Sequence, residues 1–114
     1  MDLIKGTLDV LILKTIDRHG PIHGYGVSLD LREASDDAFQ VEEGALYPAL
    51  RRLQRRGLLE SEWGVTETGR NAKFYRLTEK GSAALEEEME GWRRYVDAMA
   101  SVLYGAEPGE ERAG

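Results

Sequence analysis

The sequence predicts a mostly α fold with one small β-hairpin: a winged helix-turn-helix followed by a long C-terminal helix. Three observations lead there. Residues 41–63, VEEGALYPALRRLQRRGLLESEW, place Leu46, Leu50 and Leu53 on one face of a helix, with Arg51, Arg52, Arg55 and Arg56 on its flanks and far end. Gly57 stops that helix, and the alternating run Leu59, Ser61, Trp63 begins a hairpin at once. Further on, Leu85, Met89, Trp92, Val96, Met99 and Leu103 follow one another at alternating four- and three-residue steps, a heptad seam.

The elements follow in order. Leu8, Leu11, Ile12, Thr15 and Ile16 form one helical face and Val10 and Leu13 a second, so the first helix is apolar on two sides and predicts burial between partners. Thr7 is its expected N-cap, and His19-Gly20-Pro21 ends it. A shorter helix begins near His23 and runs through Val27 and Leu31 towards Ala34, and Ser35-Asp36-Asp37 is a polar connection. Pro48 is tolerated only early in a helix, which puts the start of the basic helix around residues 44–47. Leu59–Trp63 and Lys73–Leu77 read as strands joined by residues 64–71, a mobile and partly basic tip. Thr78 is a good N-cap for a final helix reaching Tyr104, about 40 Å long at ~1.5 Å per residue. That helix is too long for so small a domain to cover, so its stripe needs a partner. The expected division is residues 1–77 for the winged helix-turn-helix, 78–104 for a dimerisation helix and 105–114 for a disordered polar tail.

Composition narrows the function. The chain has 114 residues, 41% hydrophobic and 32% charged, which suits one ordinary globular domain. No stretch approaches the ~20 apolar residues of a spanning helix. Asp9 interrupts the apolar start and Asp2 spoils a basic leader, so that start reads as a core helix and not a secretory signal. The absence of cysteine excludes disulfide and thiolate chemistry and suits a reducing cytoplasm. The formal charge is −6, yet residues 51–76 carry seven Lys/Arg against three Asp/Glu. Positive charge is thus concentrated in the basic helix and hairpin, the footprint of a nucleic-acid-binding surface.

Candidate sites follow from placement. With the leucines inward, Arg51 and Arg55 lie nearest the outer face, whereas Arg52 and Arg56 suit structural salt bridges. Ala45, Tyr47, Pro48 and Arg51 form the face expected to meet DNA, with Tyr47 offering a hydroxyl to a phosphate and a ring to a thymine methyl. Tyr25, at the start of the second helix, can help hold a phosphate, and Arg70 and Lys73 are the hairpin's outward cations. The bland alternatives are a merely solvated arginine face and a half-buried, packing Tyr47. His19 and His23 straddle Gly20-Pro21 with no cysteine to join them, which argues against a metal site. Gly24-Tyr25-Gly26 lacks a preceding strand and the third glycine of a dinucleotide fingerprint. Glu42 and Glu43 read as helix N-terminal charges. No nucleophile–base order or phosphate loop is present, and the chain is not read as an enzyme.

Lys5-Gly6-Thr7-Leu8, His23-Gly24-Tyr25-Gly26, Glu42 to Leu50, Arg52-Leu53, Gly57-Leu58-Leu59 and Lys73 to Thr78 come in an order that resembles the PadR family of bacterial transcriptional regulators. Gly81 and a tryptophan in the last helix continue the resemblance. It implies a cytoplasmic, homodimeric repressor of a palindromic operator, without cofactor or membrane, and the short subgroup with a single C-terminal helix. The dimer would use Leu8 and Leu11 with Leu85, Met89, Trp92, Val96, Met99 and Leu103. The family's multidrug-sensing members bind flat aromatic compounds on a tryptophan of this helix, so the resemblance implies a small aromatic ligand at Trp92 and Met89. The plain reading of Trp92 is dimer-core packing. The tip carries only Arg70 as a cation, fewer than the family pattern, which implies a lighter grip on DNA. A different class stays open: an interaction module whose basic helix binds an acidic partner and whose long helix only oligomerises.

Overall fold

The computed structural model describes residues 6–105. Helix α1 spans Leu8–His19, a short strand β1 Ile22–His23, α2 Gly24–Ala34 and α3 Glu43–Arg55. The hairpin is β2, Leu59–Val65, and β3, Asn71–Leu77, and α4 runs Glu79–Tyr104. The sheet is antiparallel in the order β1-β3-β2. The expected disordered tail lies outside the described residues, except for Gly105.

Both apolar faces of α1 are used. Val10, Ile12, Leu13, Thr15 and Ile16 are buried, and Leu8 and Leu11 are half-buried against the same core. The helix touches α2, α3, α4 and β3. Thr15 is accommodated because its hydroxyl donates to Leu11 O at 2.8 Å. Val27 and Leu31 close the core from α2, Leu46, Ala49, Leu50 and Leu53 from α3, and Leu58, Leu59, Tyr75 and Leu85 from the rest.

Several boundaries differ from expectation. Helix α3 starts at Glu43, one residue before the expected range, so Pro48 sits in the second turn. The residue four before it is Gly44, whose exposed carbonyl needs no Pro48 N–H. Each hairpin strand is two residues longer than expected, which shortens the connection to residues 66–70. That tip is held in place, with Thr66 N–H donating to Arg70 O at 2.8 Å and Gly69 N–H to Thr66 O at 2.9 Å. Strand β1 has no counterpart in the sequence pattern. It pairs Ile22 with Tyr75 and His23 with Phe74, so a strand does precede Gly24-Tyr25-Gly26. It is antiparallel and two residues long, unlike the parallel strand of a dinucleotide site.

The end of α3 and the start of α4 are joined. Gly57 turns the chain with φ +80°, a region side chains avoid. Thr78 caps α4 as expected, its hydroxyl accepting from Gly81 N–H at 3.0 Å while donating to Gly57 O at 2.6 Å. Thr78 N–H donates to Leu58 O at 3.1 Å, and Lys80 Nζ reaches Arg56 O at 3.1 Å. Gly81 lies so close to this turn that a Cβ would sit 2.1 Å from Leu58 O.

A second tie fixes α1 to α2. Asp30, its side chain 15% exposed, accepts from Arg18 and from the His19 ring N–H at 2.7 Å. Burial alone would raise its pKa, but hydrogen bonds from His19 and Arg18, with their charges, hold the carboxyl below the ordinary 3.8.

Two outcomes are expected. Gly81→Ala forces a methyl into a backbone carbonyl and should lower stability by ~1–3 kcal/mol, despite alanine's better helix propensity; an unchanged urea midpoint would mean the two segments part freely. Asp30 has a depressed folded pKa, so the stability it adds is fully present above the ordinary value and fades as pH falls through the folded one. The native chain should lose stability below about pH 4 in a step that Asp30→Asn lacks; superimposable pH profiles would dismiss that contribution.

Candidate nucleic-acid interface

The inward leucines fix what α3 presents outward. Gly44, Pro48, Arg51 and Arg55 recur at four- and three-residue steps and are all exposed. Arg52 and Arg56 turn the other way, towards α1. Arg52 Nη2 lies 2.6 Å from Asp9 Oδ1 and Arg56 Nη1 3.8 Å from Asp9 Oδ2, the structural pairing expected of these two. On the hairpin, Arg76 is held by Glu60 at 3.0 Å and Glu62 at 3.1 Å.

The seven cations of residues 51–76 are therefore sorted. Three are neutralised within the chain, and Arg51, Arg55, Arg70 and Lys73 have no ion pair among the described residues. Exposed pairs of this kind add little to stability, but they decide where net positive charge remains. It remains on the outer face of α3 and on the hairpin.

The other expected DNA-facing residues divide. Tyr25 is 63% exposed at the start of α2, and Pro48 is exposed on the outer face. Ala45 is exposed but stands seven residues before Arg52, on the flank turned to α1. Tyr47 is half-buried, its ring and hydroxyl resting on Gly24 and its side chain packed against the core, which fits the packing alternative named for it. Burial and the Glu43 carboxylate push its phenol above the ordinary range, so it stays protonated. Helical spacing could not reveal this, because Gly24 leaves the space that the ring fills. Glu42 is the N-cap of α3 and Glu43 its first-turn acid, as expected. His23 caps α2 by accepting from Gly26 N–H at 2.8 Å, a role that no spacing signals. No group of three His, Asp or Glu among the described residues is arranged to hold a metal.

An open cleft of about 420 Å³ lies between α2 and the connection 35–42, lined by Tyr25, Ser28, Leu29, Arg32, Gln40, Val41 and Glu42. Nothing in the sequence pattern marks it.

The seam of α4 is only partly free. Leu85 is 4% exposed within the core of its own protomer, which corrects its place among the dimer contacts. Trp92 is half-buried against that core, with Tyr95 edge-on at 5.6 Å. Beyond it Val96, Met99 and Leu103 are exposed. Tyr95 and Val102, seven residues apart, widen the apolar surface on one side and are missing from the expected seam.

Three helices against a small sheet, a basic third helix and a hairpin beside it define a winged-helix regulator of transcription. The sequence pattern of the Transcriptional regulator PadR-like family matches residues 12–87, and the chain belongs to that family. It is a family of regulators and not of enzymes. Over 86 residues the chain is 37% identical to the Mycobacterium tuberculosis transcriptional regulator Rv3488, covering 75% of this chain and 73% of that protein. A PadR-like transcriptional regulator from Bacillus cereus superposes with a TM-score of 0.76 at 31% identity, over 90% of this chain and 96% of that one. Bacillus subtilis PadR in complex with operator DNA superposes at 0.63 with 24% identity, over 72% of this chain but 47% of that one, and shows likeness of fold. Among the described residues no helix is long and apolar enough to cross a membrane.

Proposed function

We propose that this chain is a homodimeric repressor that binds a palindromic operator in duplex DNA. The observation that carries the reading is the set of four cations without an ion pair among the described residues, Arg51, Arg55, Arg70 and Lys73, on one helix and its adjoining hairpin. Neutral interior packing gives no reason to leave them unpaired while Arg52, Arg56 and Arg76 are paired. The relative bound to operator DNA in its solved complex supports the same reading. On this reading, α3 lies in the major groove, the hairpin follows the phosphate backbone, and Tyr25 touches a phosphate at the start of α2. Leu8, Leu11, Met89, Trp92, Val96, Met99 and Leu103 form the dimer contact, because an exposed apolar stripe this long on a small domain calls for a second copy. Two reading helices then address two half-sites about one turn apart, ~34 Å. An acidic protein partner for α3 would also account for the charges, and preference for one DNA sequence separates the two readings.

A second reading concerns control. Trp92, half-buried with Tyr95 edge-on and Met89 36% exposed beside it, can seat a flat aromatic compound between subunits. Such a guest would release the operator by changing the separation of the reading helices.

The operator reading is tested by gel shift on the intergenic DNA upstream of the gene. Arg51→Ala should weaken operator binding by ~1–3 kcal/mol and Lys73→Ala should weaken binding to all sequences, while Arg52→Ala leaves sequence preference intact. Paired changes Val96→Asp and Leu103→Asp should give a folded monomer in sedimentation. Arg51→Ala and Lys73→Ala chains that bind like the native one would overturn the assignment of the surface. For the ligand reading, planar aromatic compounds should quench Trp92 emission in a Trp63→Phe chain and loosen the operator complex; quenching that persists in Trp92→Phe would remove the site.

A further inference from the structure

We propose that Trp63 contacts duplex DNA, its indole lying against the sugar-phosphate strand beside the groove that α3 enters and Lys73 carrying its ammonium to the same strand. This rests on the operator reading above and adds a residue that reading does not contain.

The argument begins with the two faces of the hairpin. In the β2–β3 register, Leu59 pairs with Leu77, Ser61 with Tyr75 and Trp63 with Lys73, all on one face. That face adjoins α3, because the Ser61 hydroxyl donates to Gln54 Oε1 at 3.2 Å and Tyr75 lies close enough to feel the charge of Arg51. Moving outward, Leu59 is buried, Ser61 half-buried, Trp63 69% exposed and Val65 64% exposed. The apolar face thus continues past the core into the corner beside the outer surface of α3.

The opposite face shows what a structural aromatic looks like here. Phe74 is half-buried, lies over Gly64 and meets the His23 ring at 5.3 Å. Trp63 has no such cover. Its neighbour is the Lys73 ammonium, 5.7 Å from the ring centroid, and its indole N–H has no partner among the described residues.

The chemistry around the indole selects the occupant. Arg51, Arg55, Arg70 and Lys73 are cations without ion pairs, whereas Glu60 and Glu62, on the reverse face, are already held by Arg76. A polyanion with an apolar edge meets these requirements, and the backbone of duplex DNA is one: deoxyribose for the ring face, phosphate oxygens for the indole N–H and the ammonium. Indole is donor-only and suits a phosphate. An amphipathic ring of this kind belongs at a boundary with one apolar and one wet side. A second copy of this chain, itself carrying a charge of −6, offers no sugar edge and would approach through α4.

The test uses the full chain and the duplex that the native protein retards from its own upstream DNA. Tryptophan emission of a Trp92→Phe chain, whose one remaining indole is Trp63, should change on adding duplex. Trp63→Ala should raise Kd about tenfold at fixed salt with an unchanged salt slope, and Lys73→Ala should lower the slope by about one ion. Trp63→Phe, which keeps a ring but no N–H, should fall between native and alanine. If the native chain binds duplex but Trp63→Ala, with a native urea midpoint, binds equally well, the contact is wrong and the operator reading stands. Emission that stays constant in that Trp92→Phe chain as duplex is bound likewise removes the contact and leaves the operator reading intact. If the native chain retards none of that DNA, both fall together. A Trp63 signal that appears on raising protein concentration without DNA assigns the indole to a second copy and overturns the proposal.

Discussion

The burial of α1 is the constraint on which the rest depends. Ile12, Leu13 and Ile16 are at most 2% exposed, and the helix reaches α2, α3, α4 and β3. Each such side chain contributes ~1.5–3 kcal/mol when fully removed from water, so a helix apolar on two faces is stable only when other elements enclose it. The winged-helix elements fold around it, and the orientation of α3 follows. Leu46, Leu50 and Leu53 must face α1, which leaves Pro48, Arg51 and Arg55 pointing outward.

Charge is arranged by the same packing. Asp9 is on α1 because the turn that buries Val10 and Leu13 presents an acid towards α3, and it takes up Arg52 and Arg56. Across the hairpin, Glu60 and Glu62 on one strand meet Arg76 on the other. A chain of net charge −6 can therefore carry a local cationic face without a large excess of basic residues. This neutralisation adds little stability, since all three arginines are near half-exposed, and its consequence is spatial: of the cations in residues 51–76, those left without an ion pair lie on the outer face of α3 and on the hairpin.

Helix α4 belongs to two structures. Its first turns are part of the domain, locked to α3 by Thr78, Lys80 and the close approach of Gly81 to Leu58, with Leu85 in the core. Its last turns leave the domain with Val96, Met99, Val102 and Leu103 uncovered. Whatever packs against the distal half acts on a helix whose proximal end is bonded to the end of α3. A change in the angle of α4 has a short mechanical path to the face that carries Arg51.

Much of this was legible in the sequence because it depends on local periodicity. The two apolar faces of α1, the inward leucines of α3, the Thr78 cap, the hairpin and the assignment of Arg52 and Arg56 to structural pairs all follow from spacing along one chain segment. What the sequence could not settle involves contacts between segments distant along the chain. Strand β1 exists because β3 offers Ile22 and His23 a partner edge, not because two residues carry a strand signal. Tyr47 is a packing residue because Gly24, on another helix, leaves room for its ring. Leu85 is equivalent to Met99 within the heptad pattern, two repeats on, but the domain reaches only as far as the first, and one is core while the other is surface. Periodicity determines which side of an element is apolar. Only the tertiary structure decides how far along that side the neighbours extend, since burial depends on the whole enclosing set of atoms and not on the residue that is buried.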